Sequence, residues 1–410
     1  MSDSNLLIEP LPTGWANHQF KDVCDRVKAS YKPVEGGDTP YVGLEHLAQG
    51  FPAFVGRGTE SDIKSSKTAF KVGDILFGKL RPYLRKGAQA DFDGISSTDI
   101  LVFRAEKLCE SNFLKYLVHS DEFIDHAKST TSGVQHPRTS WPSLKEFRLS
   151  LPPLPEQKKI AHILSTVQRA IEAQERIIQA TTELKKALMH KLFTEGLRNE
   201  PQKQTEIGPV PESWDLIRCE DACGTTSVGI VVKPTQYYVP SGVPALRSQN
   251  VRVDRMQMEP MVYISQEAND GPVAKSKLRT GDVLIVRTGA NLGMSCVLPA
   301  ELGGCNCIDL LFIRTNPDRL NGSFLSRFIN SVEAKKQVGA GKTGMAQPHF
   351  NVGTVKRIFV PLPPLGEQDE IVTCLEKVDQ KHDLAKAKQS ALQDLFRTLL
   401  HELMTAKTRV

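Results

Sequence analysis

What this chain lacks narrows its role first. Its 410 residues contain no apolar run approaching the roughly 18 needed to cross a bilayer. The opening MSDSNLLIEPLPTGW has neither a basic start nor a long apolar stretch, so it does not read as a signal peptide, and a cytoplasmic location is expected. The eight cysteines are scattered: Cys219 and Cys223 stand four apart and Cys305 and Cys307 two apart, with no second pair at metal-site spacing. They read as reduced, mostly buried thiols. Cys24 and Cys223 each lie nine residues after a tryptophan, Trp15 and Trp214, which marks a repeated core position. A polybasic coat is missing too. The net charge is +5, and residues 1–150 carry 19 basic against 19 acidic side chains. Any nucleic-acid partner must therefore be met by local clusters.

Catalytic signatures are also missing. There is no GxGxxG between strand and helix, no GxSxG elbow and no HExxH. The Pro-Pro pairs are followed by leucine, unlike the Asp/Asn-Pro-Pro-aromatic motif of amino-methyltransferases. The ten histidines are dispersed, and His190 and His401 read as structural residues at equivalent helix positions. Gly339–Gly344, GAGKTG, imitates a phosphate-binding P-loop, but the glycine required five residues before Gly-Lys-Thr is Lys336. The segment also follows a helix-like run rather than a strand. It reads as a Gly-rich loop that brings Lys342, Thr343 and Gln347 towards a phosphate backbone or a base edge.

What is present is a repetition. Residues 151–164 read LPPLPEQKKIAHIL and residues 362–375 read LPPLGEQDEIVTCL, with eight of fourteen positions identical at an offset of 211. That period is too long for a solenoid unit and implies two homologous halves. Pro152, Pro153 and Pro155 suit a helix start and forbid helix before it. Glu156 favours the positive end of the helix dipole, and Gly196 suits the stop. Apolar residues recur at spacings near three and four: Ile160, Leu164, Val167, Leu184 and Leu188 in the first copy, and Ile371, Leu375, Val378, Leu395 and Leu399 in the second. This is a coiled-coil seam over about 40 residues, a rod of roughly 60 Å. The expected fold class is α+β: two globular mixed α/β regions in a pseudo-twofold arrangement, separated by two long antiparallel coiled-coil helices. The expected boundaries are 1–150, 151–198 for the first helix, 199–211 for a connector, 212–360, and 361–410 for the second helix.

The globular halves match more loosely. Gly73-Asp74-Ile75-Leu76 corresponds to Gly281-Asp282-Val283-Leu284, and STDILVFR (97–104) to CIDLLFIR (307–314). Each Gly-Asp reads as a tight turn into a buried strand. Polar clusters follow these strands. Lys79, Arg81, Tyr83, Arg85 and Lys86 crowd eight residues in the first half; Arg287 and Asn291 hold the equivalent place in the second. Arg247, Gln249 and Asn250 form another polar loop, as do Gln135, His136 and Arg138. Arginine and lysine read guanine in the major groove; asparagine and glutamine read adenine. A solvated surface is the plain alternative for any one cluster, weakened by the recurrence in both halves.

The repeated LPPLxEQxxI, the connector TEIGPVPESW, the GD[IV]L turn and the loops SGVQH and TGMAQPH together resemble one family, the specificity subunit of type I restriction-modification systems. The resemblance covers nearly the whole chain. It implies two target recognition domains that each read part of a bipartite double-stranded DNA target. It implies a helix pair that spaces them and docks two methyltransferase subunits, with restriction subunits joining. It implies no catalytic centre and no cofactor on this chain, S-adenosylmethionine, ATP and Mg being expected on the partners. Two other readings are an enzyme using GAGKTG and a protein–protein scaffold that never touches DNA.

Overall fold

Both long helices form, as Leu154–Thr194 and Leu365–Met404 in the computed structural model, which describes residues 11–339 and 350–410. The chain divides into two units, Met1–Glu175 with Lys386–Val410, and Arg176–Ala385. The division falls inside both helices, so the compact bodies differ from the linear segments expected from sequence. Antiparallel pairing is the reason: each unit combines one globular region with a stretch of each helix. In the first unit Ile160, Leu164 and Ile171 share a core with Phe396, Leu400 and Leu403. In the second, Thr181 Oγ1 lies 3.0 Å from His382 Nδ1, and Lys185 Nζ lies 2.7 Å from Asp379.

The seam is narrower than its spacing predicts. Ile160, Leu164, Ile371 and Leu375 are buried, and Val167, Leu188, Val378 and Leu399 are half-buried. Leu184 and Leu395, at equivalent positions, are 52% and 45% exposed and lie outside the seam. A helix of 3.6 residues per turn drifts off a 3.5-residue pattern, so the buried stripe rotates away from them. Thr181, Ala385 and Phe396 are buried in the stretches where the apolar pattern lapses.

Each globular region is built around a four-stranded antiparallel sheet. In the first unit the order is Cys24–Arg26, Ile100–Ala105, Ile75–Gly78, Gly87–Gln89. In the second it is Cys223–Val228, Leu310–Thr315, Val283–Val286, Ser295–Val297. The two central strands are covered on both faces, which is why they read as unbroken apolar runs rather than alternating ones. Ile75, Phe77, Leu101 and Phe103 face the helices, while Leu76 and Val102 face a second sheet beside Val42 and Phe70. The second unit repeats this: Val283, Ile285, Leu311 and Ile313 on one side, Leu284, Val286, Leu310 and Phe312 on the other. A two-stranded pairing closes each region, Ala16–Gln19 with Arg148–Leu151 and Asp215–Arg218 with Phe359–Leu362.

The helical stretch after each sheet is broken once, at a serine. Ser120 Oγ accepts from Phe123 N at 3.3 Å, and Ser331 Oγ from Ala334 N at 3.2 Å. Each serine therefore caps a new helix, Asp121–Ser129 and Val332–Gln337.

The repeated motifs are stitches. Gly73 and Gly281 adopt φ of 90° and 86°, turns that favour glycine. The next residue, Asp74 or Asp282, is buried and accepts two bonds from Arg104 (2.7 and 2.7 Å) or Arg314 (2.9 and 2.7 Å). Glu156 accepts from the Trp15 indole at 3.2 Å, and Glu367 from Trp214 at 3.2 Å. Gln157 is fully buried; it accepts from Glu110 N at 2.8 Å and donates to the Leu108 and Pro152 carbonyls at 2.9 Å each. Gln368 makes the same three bonds, to Asn321 N at 2.8 Å and to the Arg319 and Pro363 carbonyls at 2.9 Å each. A buried amide with three partners fixes each region to its helix start.

A further joint differs between the units. In the second, Lys185 and Arg327 bracket Asp379, at 2.7 and 2.9 Å, and Asp254, at 2.9 and 3.6 Å; Asn330 also donates to Asp254 at 2.7 Å. In the first, Tyr116 donates to Gln168 at 2.9 Å, Gln168 to the Pro52 carbonyl at 3.1 Å, and Phe396 packs 5.2 Å from Phe51 and 6.0 Å from Tyr116, centroid to centroid.

Candidate nucleic-acid interface

The loop after strand Ile75–Gly78 is zipped to the turn before strand Ile100–Ala105 and to the loop before the last strand of the first region. Lys79 N donates to Asp99 O at 2.9 Å, Arg81 N to Pro137 O at 2.8 Å, and Thr139 N to Lys79 O at 3.1 Å. Arg81 and Arg85 flank the short turn Pro82–Leu84 with φ of 50° and 49°. Left-handed backbone at a non-glycine costs about 1–3 kcal/mol and concentrates at functional sites. Arg138 binds Asp99 through two bonds of 2.8 and 3.2 Å, and this hydrogen bonding, together with Lys79 nearby, holds the Asp99 carboxyl below the usual carboxylate range.

These contacts sort the candidates. Arg81, Tyr83, Gln135 and His136 are exposed, and the Arg81 guanidinium makes one long contact, 3.5 Å to the Gln135 carbonyl. Lys79 is half-buried and is in no ion pair among the described residues closer than 4.0 Å. Three other candidates are corrected to internal roles. Arg85 donates to the His119 carbonyl at 3.1 Å and pairs with Asp121. Lys86 donates to the Leu44 carbonyl at 2.6 Å. Arg138 is the clamp on Asp99. Each of the three thus commits at least one donor within its own region, and these contacts shape the loop.

In the second unit the Arg247–Asn250 loop and the loop after Val283–Val286 lie side by side, with Asn291 Nδ2 3.5 Å from the Ser248 carbonyl. Arg287 Nη1 lies 3.2 Å from Asp309, whose other oxygen accepts from Thr288 at 3.2 Å. The Nε atoms of Arg247 and Arg287 are buried with no hydrogen-bond partner among the described residues. Such donors are costly unless an acceptor arrives, and phosphate or base oxygens are suitable acceptors. Gln249 is half-buried and donates to the Pro260 carbonyl at 3.2 Å. Asn250 is a correction: it is fully buried, accepts from Arg247 N at 2.9 Å and donates to the Gln257 and Pro260 carbonyls at 3.0 and 3.1 Å. It closes the turn and cannot reach a base edge. Lys342, Thr343 and Gln347 lie outside the described residues.

Asp99 and Asp309 are the residues that sequence reasoning passed over. They occupy the same place in STDIL and CIDLL, and each holds an arginine of its interface, Arg138 or Arg287. Their recurrence in the matched strands was the available signal. Among the described residues no group of three or more His, Cys, Asp or Glu is placed to hold a metal ion, and no helix is long and apolar enough to cross a membrane.

Residues 12–182 and 282–394 match the family described as Type I restriction modification DNA specificity domain. Two proteins of Methanocaldococcus jannaschii are similar over most of their length. The type I restriction enzyme MjaVIII specificity subunit is 25% identical, covering 91% of this chain and 87% of that one. The putative type I restriction enzyme MjaX specificity subunit is 24% identical, covering 98% and 96%. Among solved structures, the S subunit of a type I restriction-modification system from M. genitalium gives a TM-score of 0.57 at 15% identity, covering 95% of this chain and 96% of that one. A chain from the complex assembly and conformational transition of the type I R-M system gives 0.57 at 23% identity, covering 96% and 98%. At those identities the structural likeness speaks for the fold; the family match, spanning well over half of the chain, speaks for kinship. This chain belongs to the family of type I restriction-modification DNA specificity domains.

Proposed function

We propose that the chain is the non-catalytic DNA-reading subunit of a type I restriction-modification complex. Each unit reads one part of a bipartite double-stranded target in the grooves. The helix pair sets the spacing and docks two methyltransferase subunits, and restriction subunits join them; S-adenosylmethionine, ATP and Mg belong to those partners. One observation carries this reading. Lys79 and Arg287 follow equivalent strands and stand beside equivalent aspartates, yet the loops around them differ in their polar side chains. That is the pattern expected of two readers with different half-sites. Leu184 and Leu395, exposed at equivalent helix positions, support a patch presented twice to identical partners.

The test is DNA binding by the complex reconstituted with its methyltransferase subunits, with the target obtained by mapping methylated adenines in a host carrying the whole system. Arg81→Ala weakens binding and lowers the salt slope by about one, as for loss of one phosphate contact. Arg81→Ala binding with unchanged affinity and slope removes Arg81 from the interface. A complex that binds no DNA at low salt points instead to a scaffold.

A further inference from the structure

Val134 is 99% exposed, more than any other large apolar side chain among the described residues. The loop that carries it is held firmly at its stem. Gly133 turns the chain with φ of 92°. Ser132 and Arg138 then exchange both backbone bonds, at 3.0 Å each. The Arg138–Asp99 clamp and the Arg81–Pro137 and Lys79–Thr139 bonds fix that stem to the strand edge. The exposed stretch runs from Ser132 to His136, with Val134, Gln135 and His136 at its apex. A β-branched side chain on a fixed stem has little rotamer freedom left to lose on contact.

The apex carries one apolar side chain, Val134, in a polar setting. Arg81 reaches the Gln135 carbonyl at 3.5 Å, and Lys79 and Tyr83 belong to the same loop. Cations suit flanking phosphates. A lone valine is too small to anchor a protein interface, where aromatic residues and arginine dominate. It is also shorter than the Phe, Leu, Ile or Met wedges that unstack base steps. Within the major groove the apolar feature of matching size is the 5-methyl group of thymine. We infer that Val134 is a specificity-determining residue that packs against a thymine methyl in the half-site read by the first unit, with Gln135 beside it at the neighbouring base edge. This rests on the proposed function.

The experiment uses the full chain assembled with its methyltransferase subunits and the mapped target duplex, with binding followed by fluorescence anisotropy. Each thymine is replaced in turn by deoxyuridine, which lacks the methyl. For the wild type, one replacement weakens binding by about threefold to tenfold, the range for burying a group of methyl to ethyl size. Val134→Ala loses a similar factor on the parent duplex and is indifferent to that same replacement, while binding to an unrelated duplex is unchanged. The inference is overturned if no replacement affects the wild type, if the penalty persists in Val134→Ala, or if Val134→Ala weakens every duplex alike. Failure of the proposed function looks different: the wild type would not then prefer the mapped target over the unrelated duplex.

Discussion

Where the second unit meets its helices, Lys185 and Arg327 bridge Asp254 and Asp379. The first unit carries Phe396, Tyr116 and Gln168 at the positions of Lys185, Arg327 and Asp379, each 211 residues away in the repeat. One joint is an ion network and the other an aromatic cluster with a single hydrogen-bond relay. The backbone scaffold therefore fixes where a joint must be made but not its chemistry. A buried ion network and apolar packing of similar volume contribute comparably, although removing one ion leaves the others uncompensated.

The comparison can be broken most forcefully by that asymmetry. Arg327→Met alone should destabilise the second unit by about 3–5 kcal/mol. Installing the first unit's residues together, Lys185→Phe, Arg327→Tyr and Asp379→Gln with Asp254→Asn, should recover most of that loss. Urea unfolding of the full chain reads both. If the combined variant is weaker than Arg327→Met, the two joints are not interchangeable.

A pH difference is the next largest effect. His119 and Asn330 are equivalent, and both are buried. Burial, aided by Arg85 and Lys115 and opposed by the Gly87 carbonyl, pushes the His119 pKa down to about 4. An unfolded histidine titrates near 6.5, so between about pH 6.5 and 4 the unfolded chain binds a proton that the folded one refuses. This contribution is complete above pH 6.5 and falls as the pH drops towards 4, by up to about 3 kcal/mol. His119→Asn should flatten that fall. Equal losses for wild type and variant between pH 7 and pH 4.5, read by urea midpoints, would show that His119 does not set the difference.

The smallest effect tests what the units share. Gln157→Ala and Gln368→Ala should each cost about 1–3 kcal/mol, since each removes the side-chain partner of three backbone groups, one of them in a buried bond. Hydrogen exchange at Glu110 N and Asn321 N should rise by similar factors. A large inequality would mean that the repeated glutamine serves only one unit.

Much of this was legible from sequence because repetition acts as an internal control. The two central strands of each sheet, the long helices and the Gly-Asp turns all stand where matched motifs place them. Interior roles were less legible. Asn250 and Lys86 have the side chains of base readers, yet a buried turn and a nearby carbonyl claim them. Residue type reports what a group can bind, whereas commitment depends on neighbours distant in sequence, as Asp121 is for Arg85. Leu184 and Leu395 show the same limit for apolar residues: spacing selects them, and helix drift leaves them in solvent.

The closing strand pairs have an evolutionary consequence. Ala16–Gln19 meets Arg148–Leu151, and Asp215–Arg218 meets Phe359–Leu362, so each region leaves its scaffold close to where it joined it. Such a region is a cassette. A different one can be inserted between the same two ends without rewriting the helices, provided that it brings its own tryptophan and accepts the Glu-Gln stitch. Under the proposed function, exchange of whole blocks is a route to new target sequences that leaves the helix frame in place.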